Sequence, residues 1–129
     1  MKSFKIKNSK PIAGHYSPAI LSNNFLFISG QVPVNPVTGK IVKGSFETQF
    51  QQVLDNLKGI LESAGLAVDD LVKVNIMIVD GEKWYVVNEM CKEFFGKHKP
   101  ARTVLPVLPL HNGYQVELEA IAELKKEEK

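Results

Sequence analysis

The sequence predicts an α+β domain, a mixed β-sheet with two helices packed on one of its faces. Three observations carry that expectation. Residues 46–64 and 84–95 repeat apolar side chains at steps of three and four, the spacing of helices buried along one stripe. Around them lie β-branched or alternating runs, giving the order strand, helix, strand, helix, strand, strand. Both helical connections are long enough to join parallel strands, and two crossovers of one hand leave their helices on the same side of the sheet.

Residues 1–8 alternate Phe4 and Ile6 with lysines and read as a short edge strand. Residues 11–18 are a loop punctuated by Pro and Gly. Residues 19–21 and 25–29 are strands joined by a turn at Ser22-Asn23-Asn24. Gly30 ends the second strand, and residues 31–44 form a loop that turns at Asn35-Pro36-Val37-Thr38-Gly39. The first helix buries Phe46, Phe50, Val53, Leu54, Leu57, Ile60, Leu61 and Ala64, with Ser45 as N-cap and Gly65 just past its end. Residues 71–79 are a strand with Val72, Val74, Ile76 and Ile78 on one face and Lys73, Asn75 and Met77 on the other. Asp80 caps a second helix that turns Trp84, Val87, Cys91, Phe94 and Phe95 inward and stops at Gly96. Two final strands, around Arg102 and over residues 116–122, close the chain.

Composition narrows the function. At 129 residues the chain is expected to be one domain, 1–129. Its 44% hydrophobic and 23% charged residues place it among globular chains rather than disordered ones. A net charge of +2, with dispersed lysines and no basic stripe interleaved with aromatics, argues against a nucleic-acid partner. No apolar run approaches the ~18 residues of a membrane span. The start Met-Lys-Ser-Phe-Lys-Ile-Lys-Asn lacks the apolar centre of a signal peptide, and the single Cys91 excludes an intrachain disulfide. A cytoplasmic location is expected. The closing Lys-Lys-Glu-Glu-Lys reads as a solvated, fraying terminus. His15, His98 and His111 show no ligand spacing, so no metal is expected.

The last third of the chain holds the candidate chemistry. Arg102 and Glu117 each put a charge on a strand of Val, Leu, Ala and Ile neighbours, where packing needs none. If these strands formed a hairpin turning at Asn112-Gly113, Arg102 would face Glu123 and lie roughly 20 Å from Glu117. A shared site would then need two subunits. The face carrying Lys73, Asn75, Met77, Glu117 and Glu119 is too polar for a closed core and too apolar to be simply wet, which also suits an oligomer interface.

From about Pro11 to Leu124 the chain resembles the Rid family, the YjgF-like reactive-intermediate deaminases. The resemblance rests on Gly14-His15-Tyr16-Ser17, Phe27-Ile28-Ser29-Gly30-Gln31-Val32-Pro33 and Asn35-Pro36-Val37-Thr38-Gly39. It continues through Gln52-Val53-Leu54-Asp55-Asn56-Leu57, Ala64-Gly65-Leu66, Val72-Lys73-Val74 and Val87-Asn88-Glu89. Phe94-Phe95, Pro100-Ala101-Arg102 and Val116-Glu117-Leu118-Glu119-Ala120-Ile121-Ala122 complete it. Each block is weak alone; their order and spacing together are specific.

The resemblance implies a chorismate-mutase-like fold and a homotrimer whose sheets form a central barrel with three clefts between subunits. It places the last strand in mid-sheet, against the hairpin. It implies cofactor-independent hydrolysis of small 2-imino or 2-enamino carboxylates, such as 2-iminopropanoate, 2-iminobutanoate and 2-aminoacrylate, to 2-keto acids and ammonia. Such compounds are released by pyridoxal-phosphate dehydratases, so the implied role is to remove reactive intermediates. By motif, Arg102 binds the substrate carboxylate, as a planar guanidinium does bidentately. Glu117 orients the attacking water. Gly30 admits close backbone approach, and Tyr16, Ser29 and Asn88 line the cleft.

Plainer readings stand beside these. Arg102 also fits a structural ion pair, Tyr16 an interface aromatic, Ser29 a strand end and Asn88 a helix-surface amide. Glu119 shares the face of Glu117 and competes for its role. Cys91 stands where many family members have tyrosine and reads as a small buried hydrophobe. His15 and Pro18 depart from the family's usual proline and glutamine near Tyr16. Alternatives to the deaminase are a non-catalytic carboxylate-binding or regulatory trimer and an endoribonuclease or translation inhibitor.

Overall fold

Eight elements follow one another in the computed structural model, which describes residues 1–125. They are β1 (Lys2–Phe4), β2 (Ala19–Ser22), β3 (Phe25–Gln31), α1 (Phe46–Ser63), β4 (Leu71–Ile78), α2 (Trp84–Phe95), β5 (Ala101–Pro106) and β6 (Val116–Glu123). The strands form one sheet in the order β1-β2-β3-β6-β4-β5. Only β4 and β5 pair in parallel; every other neighbour is antiparallel. The mixed α+β sheet expected from the sequence is therefore present. Four of the five tail residues called fraying, 126–129, lie outside the described residues.

Both helices cover the same face, because the apolar alternation of the strands leaves only one side to bury. Leu26, Ile28, Val74, Ile76, Ile78, Val116, Leu118, Ala120 and Ala122 point into the core from the sheet. Phe50, Val53, Leu54, Leu57, Ile60 and Leu61 meet them from α1, and Val87, Cys91 and Phe95 from α2. The caps of α1 follow its sequence. Ser45 Oγ accepts the Thr48 N–H at 3.1 Å, and Gly65, at φ 73°, turns the chain out of the helix. The Gly65 N–H then reaches Glu62 O and the Leu66 N–H reaches Leu61 O, satisfying two carbonyls that the helix end would orphan.

The last strand is not the second arm of a hairpin. β6 sits in mid-sheet between β3 and β4, so β5 and β6 flank β4 without touching. Asn112 and Gly113 adopt the left-handed conformations of a tight turn, φ 54° and 73°. They do so inside a longer connection that carries Pro109 and crosses the end of β4, so they cannot fold two strands directly onto each other. The mid-sheet position implied by the family resemblance is the one observed.

Two smaller expectations also change. Val72 was expected on the core face but is exposed, because the β4–β6 register slips between Leu71 and Lys73 and turns the side chain outward. Trp84 was expected inward, yet it is 42% exposed at the start of α2. Asp80 caps the short 3₁₀ turn Gly81–Lys83 ahead of α2, accepting the Glu82 N–H at 3.0 Å, rather than α2 itself.

The uncovered face is built in rows. Leu105, Met77 and Glu117 lie side by side, then Thr103, Asn75 and Glu119, then Ala101, Lys73, Ile121, Phe27 and Ile20. Leu105 and Phe27 are each 47% exposed. A sheet face that leaves such residues in water while burying no second layer is unfinished in a single chain.

Candidate functional site

The residues singled out by sequence fall into two clusters at different edges of the chain. Tyr16, Ser29, Gly30 and Glu117 gather where β3 ends against β6. Arg102 and Asn88 meet on β5 and α2.

In the first cluster the β3–β6 register shifts between Ile28 and Gln31, so Ser29 and Gly30 lie in a bulge. The bulge turns Gly30 toward the Glu117 carboxylate. A Cβ on Gly30 would overlap Glu117 Oε2 and lie 2.9 Å from its Cδ, so any other residue there must displace the carboxylate. Ser29 Oγ donates to Ser17 O at 2.6 Å and the Ser29 N–H donates to Pro18 O at 2.9 Å. These two bonds clasp the loop that carries Tyr16 to the end of β3. Tyr16 is 55% exposed and lines, with Gly30, Pro18, Gln31 and Tyr114, a cavity of about 580 Å³.

Burial, and secondarily the negative charge of Glu119, pushes the Glu117 carboxyl above the ordinary glutamate range. Glu119 is the more exposed of the two and accepts a hydrogen bond from Asn75 Nδ2 at 3.0 Å. That contact occupies Glu119 and leaves Glu117 as the half-buried carboxylate beside Gly30.

In the second cluster Arg102 pairs with Val74, whose side chain is in the core, so Arg102 points to the helix side of the sheet. Its Nη1 donates to Asn88 Oδ1 at 3.1 Å, and its guanidinium carbon lies 5.7 Å from the centre of the Trp84 ring. Burial pushes the Cys91 thiol up, while a hydrogen bond from Arg102 and the guanidinium charge pull it the other way. A raised pKa and 4% exposure make Cys91 a poor nucleophile. A depression of about 430 Å³ lined by Asn88, Cys91, Phe95, Pro100 and Arg102 opens beside the guanidinium. The ion pairs among the described residues are Lys92–Glu89 and Lys125–Asp70, so no carboxylate among the described residues neutralises Arg102.

The clusters do not meet within one chain. Arg102 aligns with Val74 and Glu117 with Met77, three residues along and two strands apart, or about 14 Å between backbones. They also lie on opposite faces of the sheet. The separation expected from the hairpin is thus retained for a different reason.

Sequence reasoning missed two supporting residues and mistook a third. Gln49 and Asn56, seven apart on the buried side of α1, each pin a loop next to the first cluster. Gln49 Oε1 accepts the Gln115 N–H at 3.0 Å and its Nε2 donates to Val42 O at 2.9 Å. Asn56 Nδ2 donates to Val32 O at 3.1 Å and Val34 O at 2.9 Å. A polar residue on an otherwise apolar helical stripe was the available signal. Trp84, read as core, is a neighbour of Arg102 instead. Among the described residues no group of three His, Cys, Asp or Glu side chains is placed to hold a metal, and no helix is long and apolar enough to cross a membrane.

Known proteins share this fold. The model of the family described as Endoribonuclease L-PSP matches residues 7–124. A RutC family protein of Pyrococcus horikoshii is 48% identical over 113 residues, covering 88% of this chain and 89% of that protein. A 2-iminobutanoate/2-iminopropanoate deaminase of Escherichia coli K12 is 37% identical over 124 residues, 94% of this chain and 96% of its own length. The crystal structure of the E. coli YjgF gene product superposes with a TM-score of 0.88 at 35% identity, covering 97% of this chain and all of that one. With the family model spanning nearly the whole chain and relatives matched end to end, the protein belongs to the Endoribonuclease L-PSP family, the YjgF/Rid family that its motifs resemble.

Proposed function

We propose that the protein is a cofactor-independent 2-iminobutanoate/2-iminopropanoate deaminase, working in the cytoplasm as a homotrimer. The observation that carries this reading is a pair of charges, Arg102 and Glu117, with no ion-pair partner among the described residues. The Arg102 guanidinium is held by Asn88 beside an open depression, and the Glu117 carboxylate stands against the bare Gly30 backbone. The similarity to a named deaminase supports the same chemistry.

In this reading a substrate with a 2-imino carboxylate places its carboxylate on Arg102. Glu117 from a neighbouring subunit takes a proton from water as its oxygen bonds to C2. Glu117 passes that proton to the nitrogen, giving the carbinolamine, and then moves the hydroxyl proton to the nitrogen as the C–N bond breaks, releasing ammonia and the 2-keto acid. An enamine substrate first becomes the imine by gaining a proton at C3 and losing one from nitrogen. Tyr16, Ser29 and the Gly30 N–H orient substrate or water. The positions of Arg102 and Glu117 on opposite faces of the sheet support a site completed across a subunit boundary. The exposed Phe27 and Leu105 supply the apolar surface that such an assembly would bury.

The test is to generate 2-aminoacrylate with a dehydratase and follow imine decay with and without the protein. Acceleration supports the deaminase; no acceleration for several amino-acid-derived imines supports a carboxylate-binding role instead.

The pH dependence has a definite sign. Water activation needs the Glu117 carboxylate, so the rate falls on acidification through a pKa above the ordinary glutamate value. Glu117→Gln is expected to lower kcat by roughly 10²–10⁴ and to remove that acid limb. Because folding raises this pKa, Glu117 favours the folded state only at low pH, and the contribution is lost as pH rises through the folded value. Thermal melts should therefore show Glu117→Gln gaining stability over wild type at pH 7 and not at pH 3.

A further inference from the structure

Trp84, Asn88 and Cys91 lie four and three residues apart on α2, so they form one stripe along the helix. Two of them meet Arg102, the indole at 5.7 Å and the amide oxygen at 3.1 Å, and Cys91 lines the same depression as the guanidinium. Asn88 holds the edge of the guanidinium. Trp84 contributes a flat surface at the same charge, and the Tyr85 ring stands edge-on to it at 5.5 Å and 87°. An indole left 42% exposed adds little to the core, which ends at Val87 on this helix.

We propose that Trp84 is a positioning residue for substrate binding: its indole restrains the Arg102 guanidinium so that the donors not used by Asn88 face the depression ready for a carboxylate. This rests on the carboxylate-binding role given to Arg102 above. An arginine side chain free to rotate loses rotamer entropy on binding, and a guanidinium already stacked and hydrogen-bonded loses less. Trp84 touches no reacting atom in this scheme, so its effect falls on affinity and not on the chemical step.

The experiment compares wild type, Trp84→Leu and Trp84→Phe, using calorimetric titration with pyruvate and steady-state imine hydrolysis. Trp84→Leu should weaken pyruvate binding about three- to tenfold, the range of a cation–π contact, and raise KM by the same factor with kcat within about twofold. Trp84→Phe keeps a ring and should stay within about twofold in both. Melting temperatures within about 4 °C of wild type show that the fold is intact. Since Trp84 is the only tryptophan, its emission in the native chain should also change on adding pyruvate, and should not change in Arg102→Ala.

Wild-type affinity in Trp84→Leu overturns the inference. So does a fall in kcat at constant KM, an equal loss in Trp84→Phe, or a wild-type chain that does not bind pyruvate. Trp84-dependent pyruvate binding without imine turnover sustains the inference while removing the deaminase reading.

Discussion

Gly30→Ala is expected to cut imine hydrolysis at least about a hundredfold while leaving the chain folded. A methyl group at this position falls on the Glu117 carboxylate, overlapping one oxygen and lying 2.9 Å from Cδ. Gly30 is not among the glycines with positive φ, so alanine is compatible with the backbone and the conflict is between two side chains. Glu117 is half-buried on the uncovered face, and relieving the clash by moving its side chain takes the carboxylate off the water it is proposed to activate. A displacement of about 1 Å in a reacting group costs on the order of 10²-fold. The melting temperature should change by only a few degrees. Wild-type activity in Gly30→Ala would remove Glu117 from the reaction.

Arg102→Ala is the second large effect. The variant loses the bidentate substrate contact proposed for Arg102, in which each hydrogen bond to a charged group contributes about 1.5–3 kcal/mol. A loss of roughly 10²–10³ in kcat/KM follows, at about 1.4 kcal/mol per factor of ten. Arg102→Lys should recover only a small part, because an ammonium cannot form the fork with a carboxylate or keep its bond to Asn88 while stacked on Trp84. Stability should barely change, since no carboxylate among the described residues pairs with Arg102. Kinetics on the same imine series, with melts in parallel, check both parts.

Periodicity made most of the fold legible. The α1 stripe from Phe46 to Leu61 is buried as its spacing demands, and Ser45 and Gly65 act where short-range chemistry puts them. What failed depends on long-range pairing. Whether Asn112-Gly113 closes a hairpin or sits inside a crossing loop depends on the strand inserted beside β4, and no local signal reports that. Val72 left its predicted face through one slipped residue in β4, since a one-residue shift inverts which side chains are buried.

The site shows the same division. Arg102 and Glu117 stood out because each is a charge among apolar neighbours. That Gly30 and Glu117 touch was not legible, because it requires the β3–β6 register and its bulge. Trp84 was taken for core because its spacing matches the stripe of α2, although it lies at the first turn, beyond the packed layer. The family resemblance assigned roles that pattern alone left open, and it placed β6 in mid-sheet, where it lies.

The central claim is that two half-sites, one around Arg102 and one around Glu117, meet only between subunits. Mixing the two defects in one assembly tests it most directly. Arg102→Ala and Glu117→Gln chains, each inactive alone, are unfolded together in equal amounts, refolded, and assayed for imine hydrolysis. If each cleft takes its arginine from one subunit and its glutamate from another, about a quarter of the clefts combine two intact halves and activity returns to about a quarter of wild type. A refolded mixture no more active than the separate variants would show that both residues serve the same chain's site, and would contradict the account.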